Sequence, residues 1–280
     1  MSIGQLERLQ STCEALRLRR IGQIFEEEAG RAAAQKSTYL DYLNQLLEEE
    51  VQDKQKRTIA LKTRLARFPY HKTLSDFDFG FQPSIDAQKI KELATLRFLQ
   101  EGENVILLGP PGVGKTHLAV SLGLEAIQQG FTVSFTTLQQ WLAILNKASQ
   151  ENQLEAKLKS YLRPHLLILD EVGYIPLNTR EVNFLFQLIS GRYEKGSVIL
   201  TSNKSYGDWG TIFGDKVIAA AMLDRLLHHS HTINIKGESY RLKDKRQAGT
   251  VPQAIFTTPK EGPRESKTPT QARKETAKGG

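Results

Sequence analysis

Residues 109–116 read Gly-Pro-Pro-Gly-Val-Gly-Lys-Thr, the spacing G-x-x-x-x-G-K-[ST]. Glycines at these positions let backbone N–H groups turn inward around a polyphosphate. Within the loop Gly109, Pro110, Pro111, Gly112, Val113, Gly114, Lys115 and Thr116, two side chains carry the chemistry. Lys115 is expected to neutralise the β- and γ-phosphates of ATP, and the Thr116 hydroxyl to ligate Mg2+. A second pair, Asp170 and Glu171, ends the apolar run Leu166-Leu167-Ile168-Leu169. Asp170 is expected to hold the Mg2+, directly or through water, and Glu171 to polarise an attacking water as general base. Asn203, after Ser197–Ser202, is expected beside Asp170, placed to touch the γ-phosphate or the water. Arg225 has two readings: an arginine finger reaching a neighbouring subunit's nucleotide, or a plain ion pair with Asp224. His228, His229 and His231 lack an accompanying carboxylate or thiol cluster in the sequence, so a structural zinc site with its four ligands is not expected there.

These residues need a scaffold that brings strand ends together. Val105–Leu108 leads into the phosphate loop, and Leu118, Ala119, Leu122 and Ala126 follow at helical spacing. Strand, glycine loop, helix is the setting the motif requires. Four consecutive apolar residues at 166–169, and again a buried run at 197–203, suit strands covered on both faces of a parallel sheet. Such sheets bind ligands outside the carboxyl ends of their strands, where Asp170, Glu171 and Asn203 fall. Phe131–Phe135 alternates as a further strand, and Ile233–Ile235 gives a last short one.

Upstream, residues 1–67 show only helical periodicity. Ile3, Leu6, Leu9, Cys13 and Leu16 recur at three- and four-residue steps, and Ile21, Ile24 and Phe25 continue the pattern. Thr38-Tyr39-Leu40-Asp41 resembles a capping box, after which Leu40, Leu43, Leu46, Leu47 and Val51, then Ile59, Leu61 and Leu65, form an apolar series ended by Pro69. Lys54, Lys56, Arg57, Lys62, Arg64 and Arg67 make the second half of that helix basic; a second cluster holds Lys147, Lys157, Lys159 and Arg163. Either cluster is a solvated face or a surface for DNA phosphates, and the second reading is favoured by the charge of the whole chain. That charge is +7 over 280 residues. In the stretch between, Phe77, Phe79 and Phe81 either anchor a linker to the core or line an adenine pocket, with anchoring preferred.

The chain has one cysteine, so no internal disulfide is possible. No apolar run approaches the roughly 20 residues of a membrane span, and charges from Glu7 onward interrupt any signal-peptide core. A cytoplasmic protein is expected. From Gln247 the sequence is rich in Thr, Lys, Pro and Gly and reads as a disordered basic tail.

GPPGVGKTHLA, LLILDEVGYIPL, ILTSNKSYGDWGTIFGD and MLDRLLHHSHTINIKGESYRLK together resemble the IstB family, ATP-binding helpers of IstA/IstB-type insertion sequences. That family is grouped with DnaC-type helicase loaders among the AAA+ ATPases. The resemblance implies an α/β AAA+ P-loop core, a parallel sheet flanked by helices with no C-terminal lid, preceded by a small all-α domain. The implied division is 1–67 for DNA or partner binding, 68–83 as linker, 84–246 as ATPase domain and 247–280 as tail. It assigns Lys115 and Thr116 to Walker A, Asp170 and Glu171 to Walker B, Asn203 to sensor 1 and Arg225 to the finger. It makes the helical stretch 138–163 a DNA-facing element, while Arg241, readable from the sequence as a sensor of the same subunit's nucleotide, lacks the lid on which the family pattern places a second sensor. The function it implies is an ATP-dependent, double-stranded-DNA-binding ATPase that assembles as a homo-oligomeric ring or spiral and assists an IstA-type transposase. The alternative is a DnaC-like replicative helicase loader. A small-molecule phosphotransferase is disfavoured because no acceptor-site signature accompanies the loop, and an adaptor with a dead site because Asp170 and Glu171 are intact.

Overall fold

In the computed structural model, residues 3–243 are described. The chain divides into two units after Tyr240, and the first, Met1–Tyr240, is compact. The expected tail from Gln247 lies outside the described residues.

Three helices open the first unit: α1 (Ile3–Ala15), α2 (Arg19–Gln35) and α3 (Tyr39–Ala66). The capping box at Thr38 is present, with Asp41 reciprocating, and α3 ends at Arg67 in a left-handed conformation (φ 60°). The N-cap of α2 is Leu18, which offers no side-chain acceptor. Glu50 of α3 supplies one instead, accepting from the N–H groups of Arg20 (2.7 Å) and Ile21 (3.0 Å). A carboxylate on orphan N–H groups at a helix start is favoured by hydrogen bonding and by the dipole. This contact is why Glu50 is buried.

Most of the expected apolar series on α3 is not in a core. Leu46 is buried with Cys13, Ile21, Ile24 and Phe25. Leu40, Leu43, Leu47, Val51, Leu61 and Leu65 are exposed. The series is spread too widely around the helix for one small three-helix cluster to cover it. Further along, Ile59 and Ala66 pack on the main core, so one helix serves both bodies of side chains.

Then follow α4 (Ala87–Ala94), α5 (Arg97–Gln100), β1 (Asn104–Leu108), α6 (Lys115–Gln128), β2 (Val133–Thr137), α7 (Leu138–Gln150), α8 (Leu154–Leu162) and β3 (Leu166–Val172). The chain continues through α9 (Thr179–Arg192), β4 (Ser197–Ser202), α10 (Trp209–Phe213), α11 (Lys216–His228) and β5 (Ser230–Asn234). Leu96, which is left-handed (φ 64°), separates α4 from α5. The stretch 138–163 is likewise two helices rather than one. Among the described residues only a 3-10 turn, Tyr240–Leu242, follows β5. None of the described helices is long and apolar enough to cross a membrane.

All five strands are parallel, in the order β2-β3-β4-β1-β5. Strand side chains alternate between faces. Val105, Leu107, Leu166 and Ile168 enter the cluster under α6 and α4, while Ile106, Leu108, Leu167 and Leu169 enter the one under α7, α9 and α11. Double coverage explains why the sequence shows unbroken apolar runs. Order and direction put the loops after β1, β3 and β4 at one edge, with β4 between the strands that carry the phosphate loop and Asp170.

Candidate nucleotide site

The phosphate loop joins β1 to α6, which starts at Lys115 with Gly114 as its N-cap (φ 99°). Gly112 is also left-handed (φ 83°). Added side chains would run into Ser239 at Gly112 and into the Phe77 ring at Gly114. The loop is therefore gripped from two directions. On one side Tyr240 donates its backbone N–H to Gly112 O (2.9 Å), and Ile235 donates to Leu108 O (2.7 Å). On the other, buried Phe77 packs on Phe79 (4.8 Å) and on the His117 ring (5.1 Å). Phe77 and Phe79 thus anchor the segment before the core, and Phe81 meets Tyr240 edge to face at 5.1 Å. His117 contacts Thr73 O at 2.9 Å, and its partial burial lowers its pKa, the Thr73 contact opposing this.

Lys115 is 6% exposed, and its ammonium donates to the carbonyls of Gly109 (2.7 Å) and Pro110 (2.8 Å). The lysine thus lies inside the loop whose phosphates it is expected to meet. Thr116 donates its hydroxyl to both oxygens of Asp170, at 3.0 and 3.1 Å. Asp170 is 4% exposed. Burial raises its pKa, opposed by hydrogen bonds from Thr201 and Thr116 and by the charge of Lys115.

Asp170 and Glu171 are neighbours with opposite surroundings. The register between β3 and β4 shifts between Leu169 and Val172, and Glu171 is left-handed (φ 61°). Such an irregularity re-aims side chains at a strand end. Asp170 points into the wired interior, and Glu171 is exposed. The sequence pattern gave no sign of the residue that fixes both. Thr201 on β4 donates its hydroxyl to Asp170 Oδ1 (2.5 Å) and accepts from the backbone N–H of Glu171 (3.0 Å). Its only signal is position: β4 lies between β1 and β3, so a hydroxyl near its end meets both. Asn203 follows β4, and its Oδ1 is buried with no hydrogen-bond partner among the described residues.

Arg225 lies on α11, away from these contacts. Among the described residues it has no ion pair with Asp224; it donates to Ala221 O (3.1 Å), and its guanidinium sits 5.0 Å from the Phe186 ring centroid. Arg241, in the 3-10 turn, belongs to the second unit.

The basic clusters divide by local pairing. Lys54 and Arg57 lie near Glu50 (3.7 and 3.4 Å), Arg57 also pairs with Asp53 (2.7 Å), and Lys62 donates to Gly130 O (2.5 Å). Lys147 pairs with Glu151 (3.8 Å) and Lys159 with Glu155 (2.6 Å). Lys56, Arg64, Arg67, Lys157 and Arg163 have no carboxylate within salt-bridge reach among the described residues. Arg67 and Lys157, from separate clusters in the sequence, line one cleft of about 730 Å³ beside β2.

The donor set fits a nucleoside triphosphate with a hard divalent cation: a glycine cradle at a helix start, an ammonium, a hydroxyl and a carboxylate. Fold and loop together define a P-loop protein of AAA+ architecture. The profile of a family described as "IstB-like ATP binding protein" matches residues 11–248, and the chain belongs to that family. A protein of insertion sequence IS21 from Pseudomonas aeruginosa, named for ATP binding, is 48% identical over 246 residues, covering 88% of this chain and 93% of that protein. A counterpart in insertion sequence IS5376 from Geobacillus stearothermophilus is 48% identical over 240 residues, covering 86% and 96%. Among solved structures, DnaI matches with TM-score 0.51 at 22% identity, over 59% of this chain and 91% of that one. A replication initiator DnaA bound to AMPPCP and single-stranded DNA matches with TM-score 0.52 at 19% identity, over 68% and 58%. These two likenesses establish the shared fold.

Proposed function

We propose that this ATP-binding protein hydrolyses ATP, and that hydrolysis times an assembly on double-stranded DNA which assists an IstA-type transposase. The observation that carries the reading is the paired carboxylate arrangement: Asp170 buried on Thr116 and Thr201, Glu171 beside it turned outward. A dead nucleotide site has no need of that division of labour.

In this reading the loop N–H groups and Lys115 hold the triphosphate, the ammonium exchanging its loop carbonyls for phosphate oxygens. Thr116 and Asp170 hold Mg2+, which when bound neutralises charge on the β- and γ-phosphates. Glu171 takes the proton of the attacking water, and Asn203 orients that water or the γ-phosphate. Arg225 leaves the Phe186 ring and reaches the nucleotide of an adjacent copy, so turnover depends on a ring or spiral of subunits. Residues 1–67 act as the DNA- or partner-binding domain, 68–83 as linker and 84–246 as ATPase domain, all working in the cytoplasm. Lys56, Arg64, Arg67, Lys157 and Arg163 supply phosphate contacts, the locally paired cations less.

The test is phosphate release by the full chain with and without duplex DNA, run beside Glu171→Gln. The variant is expected to keep ATP bound, to lose turnover by about 100-fold or more, and to form longer-lived complexes on duplex than the parent. Failure of Glu171→Gln to assemble with ATP overturns the timer mechanism. Stimulation by single strands alone, with capture of a hexameric helicase, moves the reading to a helicase loader.

A further inference from the structure

The three histidines near the end of α11 separate in the fold. His231 turns to Glu103, its Nε2 2.8 Å from Oε2. His228, the last residue of α11, and His229, just beyond it, stay together with ring centroids 4.0 Å apart. The turn between α9 and β4 brings Glu194 to them, 34 residues earlier in sequence than His228 and invisible to a local reading. Ligand atoms from Glu194, His228 and His229 all lie within 4.8 Å of one another.

We propose that Glu194, His228 and His229 form a binding site for a zinc-class divalent cation, separate from the phosphate loop. Two imidazoles and a carboxylate suit Zn2+ and not the all-oxygen preference of Mg2+. Bonds of about 2.0–2.2 Å to one ion put tetrahedral ligand atoms roughly 3.3–3.5 Å apart, so these must close by up to about 1.5 Å. All three side chains are exposed, and their rotamers have room to make that adjustment. The supporting contact is already made: the Tyr193 hydroxyl meets Nδ1 of His228 at 2.9 Å, which leaves Nε2 for the ion. A partner on the second ring nitrogen fixes tautomer and ring orientation in metal-binding histidines. Three protein ligands leave a fourth position for water.

The ion would tie the end of α11 to the turn after α9. Arg225 is three residues before His228 on the same helix, and the ring it rests on, Phe186, belongs to α9. The site would therefore hold the finger helix in place. This consequence rests on the proposed role of Arg225; the metal site itself does not.

The experiment is equilibrium titration of the untagged full chain with ZnCl2, without nucleotide, with Co2+ absorption as a second readout of a nitrogen-oxygen tetrahedral site. About one equivalent is expected to bind saturably. A His228→Ala/His229→Ala double variant should lose at least about 10-fold in affinity together with the Co2+ bands, and Glu194→Gln and Tyr193→Phe about 10-fold each. His231→Ala should bind as the parent does. Thermal melts and ATP binding, measured on each variant without zinc, separate a lost metal site from a lost fold and from any failure of the ATPase reading. No saturable binding at millimolar ZnCl2, or binding unchanged in the double variant, overturns the proposal.

Discussion

The carboxyl ends of the strands and the front half of α3 treat polar and apolar groups in opposite ways. At the strand ends, polar side chains are buried and bonded to one another: Lys115 to its loop, Asp170 to Thr116 and Thr201. On α3, leucines at 40, 43 and 47 are exposed while Glu50 is buried. A buried carboxylate costs stability unless hydrogen bonds hold it, so the first region is set by its core and tolerates little change. The second keeps one buried carboxylate as a helix cap and leaves apolar surface uncovered. Chemistry is built into the sheet, whereas the helices carry surface still available for contact.

The sharpest way to break this contrast is at the strand ends. Lys115→Ala should abolish measurable ATP binding in a fluorescent-nucleotide titration while leaving the melting temperature close to the parent's, because the loop carbonyls can turn to water. Thr201→Val comes next. It removes a bond to the carboxylate proposed to hold Mg2+, and turnover should fall about 10- to 100-fold. It should also cost about 1–3 kcal/mol in denaturant unfolding, since Asp170 stays buried with one donor fewer. A Thr201→Val protein with normal turnover would mean that Thr116 alone positions Asp170.

On the helices the effects should be smaller and of another kind. Glu50→Ala strips the cap from α2 and should cost about 1–3 kcal/mol, while ATP affinity stays within error. If ATP affinity falls with it, the two regions are coupled and the contrast fails. Smallest are the surface cations. Lys56→Ala or Arg64→Ala should each flatten the salt dependence of duplex binding by about 0.9 in log–log slope. Lys54→Ala and Lys159→Ala, whose charges are already paired, should change it less.

The same contrast explains what the sequence revealed. The phosphate loop and the Leu166–Glu171 run were legible because a doubly covered parallel sheet writes unbroken apolar strands, and ligands gather at their ends. Thr201 was not legible, because its role comes from strand order, and nothing local marks β4 as the strand between β1 and β3. Glu194 was hidden for the same reason: only the packing of α9 against α11 brings it to His228. Periodicity found α3, and its cap, but misjudged its leucines, since period reports a face without saying whether anything covers it. For Arg225 the sequence left finger and ion pair open and family likeness favoured the finger; in the single chain it rests on Phe186.

The most direct test of the central claim, that ATP drives assembly on duplex DNA, is sedimentation of the full chain with random-sequence duplex at one fixed salt concentration. ATP, ADP and no nucleotide would be compared, with single-stranded DNA as the control. Large complexes on duplex with ATP, absent with ADP, are the expected result. Equal sedimentation in all three nucleotide states, or complexes on single strands only, would contradict it.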